Sequence, residues 1–266
     1  MTDRDSPETP VDALFARLEL AAESLLMLDY DGTLAPFRAD PAQAFPYPGV
    51  IEILDAIMAH GSTRMAVISG RPARELTPLL GTRAQPELWG SHGWERIFAD
   101  GRYQLDPIPA DAQAALQSAS VQAEQTRAWG ARLERKPSAL ALHWRGLRED
   151  EAHRIRAWAQ SEWKALCATA PLSVLDFEAG IELRVHGRTK AHAVATLLQE
   201  CNPDIPAAYL GDDVTDEDAF VALAGRGLGV LVRPQKRETA AQAWLQPPEE
   251  LLAFLQRWER VHGRTQ

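Results

Sequence analysis

The run Ser24-Leu-Leu-Met-Leu-Asp-Tyr-Asp-Gly-Thr-Leu34 constrains this chain more than any other. Its apolar residues lead directly into two carboxylates, the pattern of a strand buried on both faces that delivers Asp29 and Asp31 at its carboxyl end. In an open parallel sheet that edge is where ligands bind. Gly32 lets the backbone leave the strand in a conformation a side chain would obstruct. Acids at i and i+2 point to the same side, so Asp29 and Asp31 are expected to share one metal or one substrate. An isolated Asp-x-Asp-Gly reads better as a polar turn. A second apolar strand running into acids, Ala207-Ala-Tyr-Leu-Gly-Asp-Asp-Val-Thr-Asp-Glu217, weakens that plainer reading.

Helical and strand patterns alternate on either side of these two segments. Helices are expected over residues 11–22, 50–59 and 72–80, and strands over 25–28, 65–68 and 88–90, with a proline-rich loop at 35–49. Pro72 suits a first helical turn. The third strand opens into Ser91-His-Gly-Trp-Glu95. From Arg188 the alternation resumes: a helix to 201, a strand to 210, a helix at 215–223, a strand at 228–232 and a last helix at 248–262. This implies an α/β fold, a doubly wound parallel sheet with a Rossmann-like core. Between these halves, Pro107 and Pro109 mark a change. A helix at 110–129, a half-buried hairpin at 132–136 and 139–145, a helix at 149–167 and a hairpin at 172–177 and 181–185 around Glu178-Ala-Gly180 describe an inserted αββαββ cap. Residues 1–106 and 186–266 are thus expected to form the core, and 107–185 the cap.

Acidic residues outnumber basic ones 37 to 28, a net charge of −9, and no long Lys/Arg run occurs, which argues against a nucleic-acid surface. A protein so acidic must concentrate positive charge locally to handle a phosphate. Cys167 and Cys201 fall in helical-looking segments without metal-type spacing and read as buried thiols of a reducing compartment. Residues 1–10 are polar and acidic, unlike a signal peptide, and no apolar run reaches membrane-spanning length. Cytoplasm is the expected address, no membrane partner is expected, and a monomer is the default.

Taken in order, Asp29-Tyr-Asp-Gly-Thr-Leu34, Ser69-Gly-Arg71, Lys190 and Gly211-Asp-Asp-Val-Thr-Asp-Glu217 resemble the four signature motifs of the haloacid dehalogenase-type phosphatases. Within that superfamily the chain most resembles the trehalose-6-phosphate phosphatases, over residues 24–235. The resemblance implies a capped sugar phosphatase whose cap and core meet over the carboxylates and open and close for substrate. It departs from its relatives in Lys190-Ala191, where Gly usually follows the lysine, and in Arg184-Val185, where an Arg/Lys-Pro pair is usual.

Phosphoryl transfer needs a nucleophile, a proton donor and positive charge. Asp29 is suited to attack phosphorus and form an aspartyl-phosphate. Asp31 is placed to protonate the leaving oxygen and then deprotonate water, a role that neighbouring carboxylates would favour by raising its pKa. Hard oxygen ligands and a phosphate substrate point to Mg²⁺. By resemblance Asp29, Asp212 and the backbone carbonyl of Asp31 ligate it, with Asp213 and Asp216 supporting. Ser69 would bind a phosphoryl oxygen and Lys190 would neutralise nucleophile and phosphate. Arg71, His92 and Gly93 are expected in the substrate pocket. Alternation puts Glu134 with Lys136, and His143 with Arg145, on shared cap faces whose polar groups suit a sugar. The resemblance assigns Glu134, Lys136 and Glu182 to the distal glucose. The expected reaction is hydrolysis of trehalose 6-phosphate. The alternatives are another sugar phosphatase, acting on sucrose phosphate or mannosyl phosphoglycerate, a phosphohexomutase, or a phosphoacceptor signalling module.

Overall fold

A computed structural model of the chain describes residues 9–38, 40–177 and 179–263. The readings made above for residues 1–8 and for Glu178 lie outside it. In chain order the elements are α1 (Pro10–Leu20), β1 (Ser24–Leu28), α2 (Val50–His60), β2 (Thr63–Ile68), α3 (Ala73–Leu80), β3 (Glu87–Gly90), β4 (Glu95–Ile97), β5 (Tyr103–Leu105), α4 (Ala110–Ala123), β6 (Arg132–Lys136), β7 (Ala139–His143), α5 (Glu149–Cys167), β8 (Leu172–Phe177), β9 (Gly180–Val185), α6 (Lys190–Gln199), β10 (Ala207–Gly211), α7 (Glu217–Leu223), β11 (Leu228–Val232), β12 (Ala243–Leu245) and α8 (Glu249–Gly263). The chain divides into two compact units, Met1–Gln104 with Thr189–Gln266, and Leu105–Arg188.

The first unit is built on an eight-stranded sheet in the order β12-β11-β10-β1-β2-β3-β4-β5, parallel from β12 to β3. β1 is buried at every residue and apolar after Ser24, because helices cover both its faces. Leu26 and Leu28 pack with α1, α2, α3 and α8, while Leu25 and Met27 pack with α6 and α7. From β1 the chain winds one way through β2 and β3, and from β10 the other way through β11 and β12. The order therefore reverses between β1 and β10, whose carboxyl ends are the expected ligand crevice of such a sheet.

The second unit is a four-stranded antiparallel sheet, β6-β7-β9-β8, with α4 and α5 on one face. Register sorts its side chains. Glu134 stands opposite Ala141, which stands opposite Glu182, and Arg132, His143 and Gly180 align likewise. Directly paired residues share a face, so Arg132, Glu134, Lys136, His143, Glu182 and Arg184 stand together on the face away from Leu133, Leu140, Leu142 and Leu183.

Several local expectations change. Strands β4, β5 and β12 were not anticipated. The helix expected to run to Trp129 ends at Ala123 and tightens into a 3-10 segment, and the one expected at 215 begins with a 3-10 turn at Val214–Asp216. Pro72 occupies the N-cap of α3 rather than its first turn. β7 is buried from Ala139 to Leu142 instead of half-buried, since it lies inside the sheet. Arg145 falls beyond the end of β7, so strand alternation does not align it with His143. Cys167 and Cys201 are free and only half-buried, and Cys201 lies past the end of α6.

Candidate active site

The polar residues delivered by β1 and β10 converge at the reversal point. The β1 chain continues in register with β10, the Asp29 N–H donating to the Leu210 carbonyl at 2.8 Å. Asp29 is only 3% exposed. Its Oδ1 accepts from Lys190 Nζ at 2.6 Å and its Oδ2 from Thr33 Oγ1 at 3.2 Å. Lys190 opens α6 after the N-cap Thr189. A helix amino terminus is a poor place for a cation, and this one is 4% exposed, yet a second carboxylate, Asp216 Oδ1, accepts from it at 2.7 Å. Burial works against the ammonium, but the charges of Asp216 and Asp29 more than offset it and hold the Lys190 pKa above its ordinary range.

Asp216 organises the second acidic segment. Its Oδ2 accepts from the backbone N–H groups of Asp212 at 3.1 Å and Asp213 at 2.9 Å, and its Oδ1 also accepts from Tyr209 Oη. Two donors on each oxygen fill its ordinary acceptor sites. Asp213 caps the turn that leads to Asp216. Gly211 is required, because a Cβ there would fall 2.4 Å from Asp216 Cγ. Gly32 has φ +86°, and a Cβ there would fall 2.0 Å from Asp212 Oδ2, so the two acidic segments meet at a glycine.

Asp29, Asp212 and Asp216 each present an oxygen within 4.8 Å of the other two. Burial pushes Asp29 up to about 7, with Lys190 opposing and Asp216 and Asp31 adding to the rise. Burial, then Asp29 and Asp216, raise Asp212 well above the usual carboxylate range. Three buried carboxylates face one ammonium, an imbalance of two negative charges. A set of hard oxygen donors short by two charges fits a divalent cation.

Asp31 takes a different course from the one expected. Its carboxylate is not in that cluster; it accepts from Arg71 through both oxygens, at 2.6 Å each. The nearest charge is thus a guanidinium, not another carboxylate. Arg71 also donates to the Pro41 carbonyl. Ser69 is buried, its Oγ accepting from the Arg71 N–H at 3.1 Å. The loops at 69–71 and 91–93 are joined by His92 N–H to Ser69 O and Ser91 N–H to Arg71 O. His92 has φ +57°, and its ring lies over Gly70, where a Cβ would come within 2.7 Å. Gly93, φ +97°, passes close to the Thr189 carbonyl.

On the second unit, Lys136 Nζ donates to Glu182 Oε2 at 2.7 Å and His143 Nε2 to Glu134 Oε2 at 2.5 Å. Burial raises Glu134, but the His143 hydrogen bond and the charges of Lys136, His143 and Arg132 prevail and bring it to about 2. The sequence reading omitted three residues of the first unit: Thr33, Tyr209 and Arg233, whose Nη1 donates to the Asp212 carbonyl. Thr33 stood inside the Asp-x-Asp-Gly-Thr run; nothing in the sequence distinguished Tyr209 from a core aromatic.

Among described families, the trehalose-phosphatase family model matches residues 27–247. The trehalose-phosphate phosphatase of Mycobacterium tuberculosis H37Rv is 29% identical over 250 residues, 91% of this chain, and the chain spans 62% of that relative's length. The C-terminal domain of the Candida albicans trehalose-6-phosphate phosphatase superposes with a TM-score of 0.78 at 24% identity, covering 98% of this chain and 99% of that one. The Aspergillus fumigatus trehalose-6-phosphate phosphatase gives 0.66 at 25% identity, covering 96% and 99%.

Proposed function

The chain belongs to the trehalose-phosphatase family, and on that premise we propose that it hydrolyses trehalose 6-phosphate to trehalose and inorganic phosphate through an aspartyl-phosphate on Asp29. One observation carries the proposal: a buried carboxylate at the end of β1 is held by Lys190 beside a second buried acidic segment with two unbalanced negative charges.

Asp29 attacks phosphorus as the bond from phosphorus to the sugar oxygen breaks, and Asp31 gives that oxygen a proton. Water then loses a proton to Asp31, attacks the phosphorus and releases phosphate, which regenerates Asp29. Arg71 places one donor on each Asp31 oxygen, which holds the carboxylate in place and leaves each oxygen a second acceptor site for the leaving-group oxygen or the water. Lys190 opposes the burial that raises Asp29 and lowers repulsion from the phosphate. Ser69 Oγ and the guanidinium of Arg71 bind phosphoryl oxygens, with His92 and Gly93 shaping the loop beside them. Asp29, Asp212 and the Asp31 carbonyl would hold Mg²⁺, with Asp213 and Asp216 in support. Bound there, Mg²⁺ supplies the positive charge that the three carboxylates and the phosphate lack.

The polar face of the second unit gives the sugar its recognition: Glu134, Lys136 and Glu182 offer acceptors and a donor at fixed positions, His143 is bonded to Glu134, and Arg145 is assigned to the same role. The half-buried free thiols support a reducing, cytoplasmic setting. No helix among the described residues is long and apolar enough to cross a membrane.

Phosphate release across a panel of sugar phosphates, with and without Mg²⁺, tests the reading. Metal-dependent turnover of trehalose 6-phosphate is expected to exceed that of sucrose phosphate, mannosyl phosphoglycerate and glucose 6-phosphate. A preference for one of the others, or mannose phosphate isomerisation, refutes it.

A further inference from the structure

Phe177 ends β8, and its ring lies across Gly180 of β9, where an added Cβ would fall 2.0 Å from Cζ and 2.2 Å from Cε2. Only glycine lets the ring lie down on the sheet there. The Phe177 ring meets the His143 imidazole edge-on, centroids 5.2 Å apart and planes at 62°. His143 is itself paired with Gly180 across the strands, and its Nε2 N–H donates to Glu134 Oε2. An unbroken line of contacts thus runs from Gly180 through Phe177 and His143 to Glu134. The second torsion of a histidine is broad, so a ring packed against the imidazole selects the orientation that aims Nε2 at the carboxylate. Held by Oε2, Glu134 turns its Oε1 towards Lys136 Nζ, 4.0 Å away and beyond hydrogen-bond distance. An acceptor oxygen and an ammonium, the latter also donating to Glu182 Oε2, thus stand side by side within reach of one sugar hydroxyl.

We infer that Phe177 is a positioning residue for sugar recognition: through His143 it fixes the orientation of Glu134 and so sets selectivity for the leaving sugar. The inference rests on the sugar phosphatase reading above. No role in phosphoryl transfer is assigned to Phe177.

The test compares trehalose 6-phosphate with p-nitrophenyl phosphate, which carries no hydroxyl-rich leaving group. Phe177→Ala is expected to raise KM for trehalose 6-phosphate about tenfold with kcat changed by less than about threefold, the scale of one hydrogen bond to a charged group. The ratio of kcat/KM for the sugar substrate to that for the aryl phosphate falls accordingly. Gly180→Ala keeps the ring but drives it off His143, its Cβ also meeting the Leu142 carbonyl at 2.9 Å; the same fall is expected in protein whose melting curve shows it folded, a second reading if Phe177→Ala folds poorly. Phe177→Tyr restores the ratio. His143→Leu combined with Phe177→Ala does no worse than His143→Leu alone, because both act through one carboxylate. Equal losses on the two substrates, or losses that add in the double variant, overturn the inference. A wild-type protein that does not turn over trehalose 6-phosphate overturns the underlying reading, and a wild type that does, with its selectivity unmoved in Phe177→Ala and Gly180→Ala, overturns this inference alone.

Discussion

Replacing Lys190 by methionine keeps most of the side-chain volume and removes the charge that Asp29 and Asp216 share. The ammonium lies 2.6 Å and 2.7 Å from those carboxylates, buried at the start of α6. Its loss leaves Asp29, Asp212 and Asp216, with oxygens within 4.8 Å of one another, without the ammonium that two of them share. Removing one partner of a buried pair costs about 3–5 kcal/mol. Protonation limits that cost, and here the sign is decisive. Asp29 and Asp212 already have folded pKa values raised above their ordinary range, and without Lys190 they rise further. A carboxylate with a raised folded pKa favours folding below its unfolded pKa, and that contribution is lost as pH climbs through the folded value. The variant's deficit should therefore be largest in mild alkali and shrink towards acid. Wild-type Lys190, with its pKa also raised, stays charged throughout this window.

At about 2–4 °C per kcal/mol for a unit of this size, thermal unfolding in EDTA should fall by roughly 10 °C near pH 8.5 and by only a few degrees near pH 5.5. Activity should be lost at both. A melting temperature unchanged by the substitution, or a deficit that deepens in acid, refutes the idea that Lys190 is the counter-charge of this cluster.

Asp29→Asn should abolish phosphate release, a loss on the order of a thousandfold or more, while its melting curve stays near wild type, since Lys190 keeps Asp216; residual turnover near wild type removes Asp29 as nucleophile. Tyr209→Phe deletes the hydroxyl donated to Asp216 and should raise the Mg²⁺ needed for half-maximal activity about tenfold, the usual cost of losing a hydrogen bond that orients the residues around a metal, measured by metal titration of phosphate release. Glu134→Gln tests the opposite pH sign. A carboxylate depressed to about 2 stabilises the fold above its unfolded pKa and loses that contribution as pH falls through the folded value. The variant should be destabilised by on the order of 2 kcal/mol near neutrality and match wild type near pH 2, read from urea unfolding at several pH values.

Long apolar runs announced the central strands because helices on both sides bury every position, as in β1 and β10. Short edge strands carried no such signal: β5 is exposed along its length and β12 is three residues long, so neighbours rather than their own residues define them. The αββαββ order of the insert was legible from alternation and proline breaks, but the burial of β7 was not, since it follows from β6 and β9 flanking it. Resemblance of the ordered motifs to a known family indicated that Asp29, Lys190, Asp212 and Asp216 belong together. Three-dimensional accounting was needed to see that Asp216 has its acceptor sites filled, that Asp31 is held by Arg71, and that Tyr209 is more than a core aromatic. A side chain's hydrogen-bond partners come from distant segments, and no local pattern encodes them.

The most direct measurement is calorimetric titration of Mg²⁺ into metal-free protein and into Asp212→Asn. If the β1 and β10 acids together form one cation site, the wild type binds a single ion per chain and the variant, still folded, binds it at least about tenfold more weakly. Equal binding by both proteins, or none by either, contradicts the account.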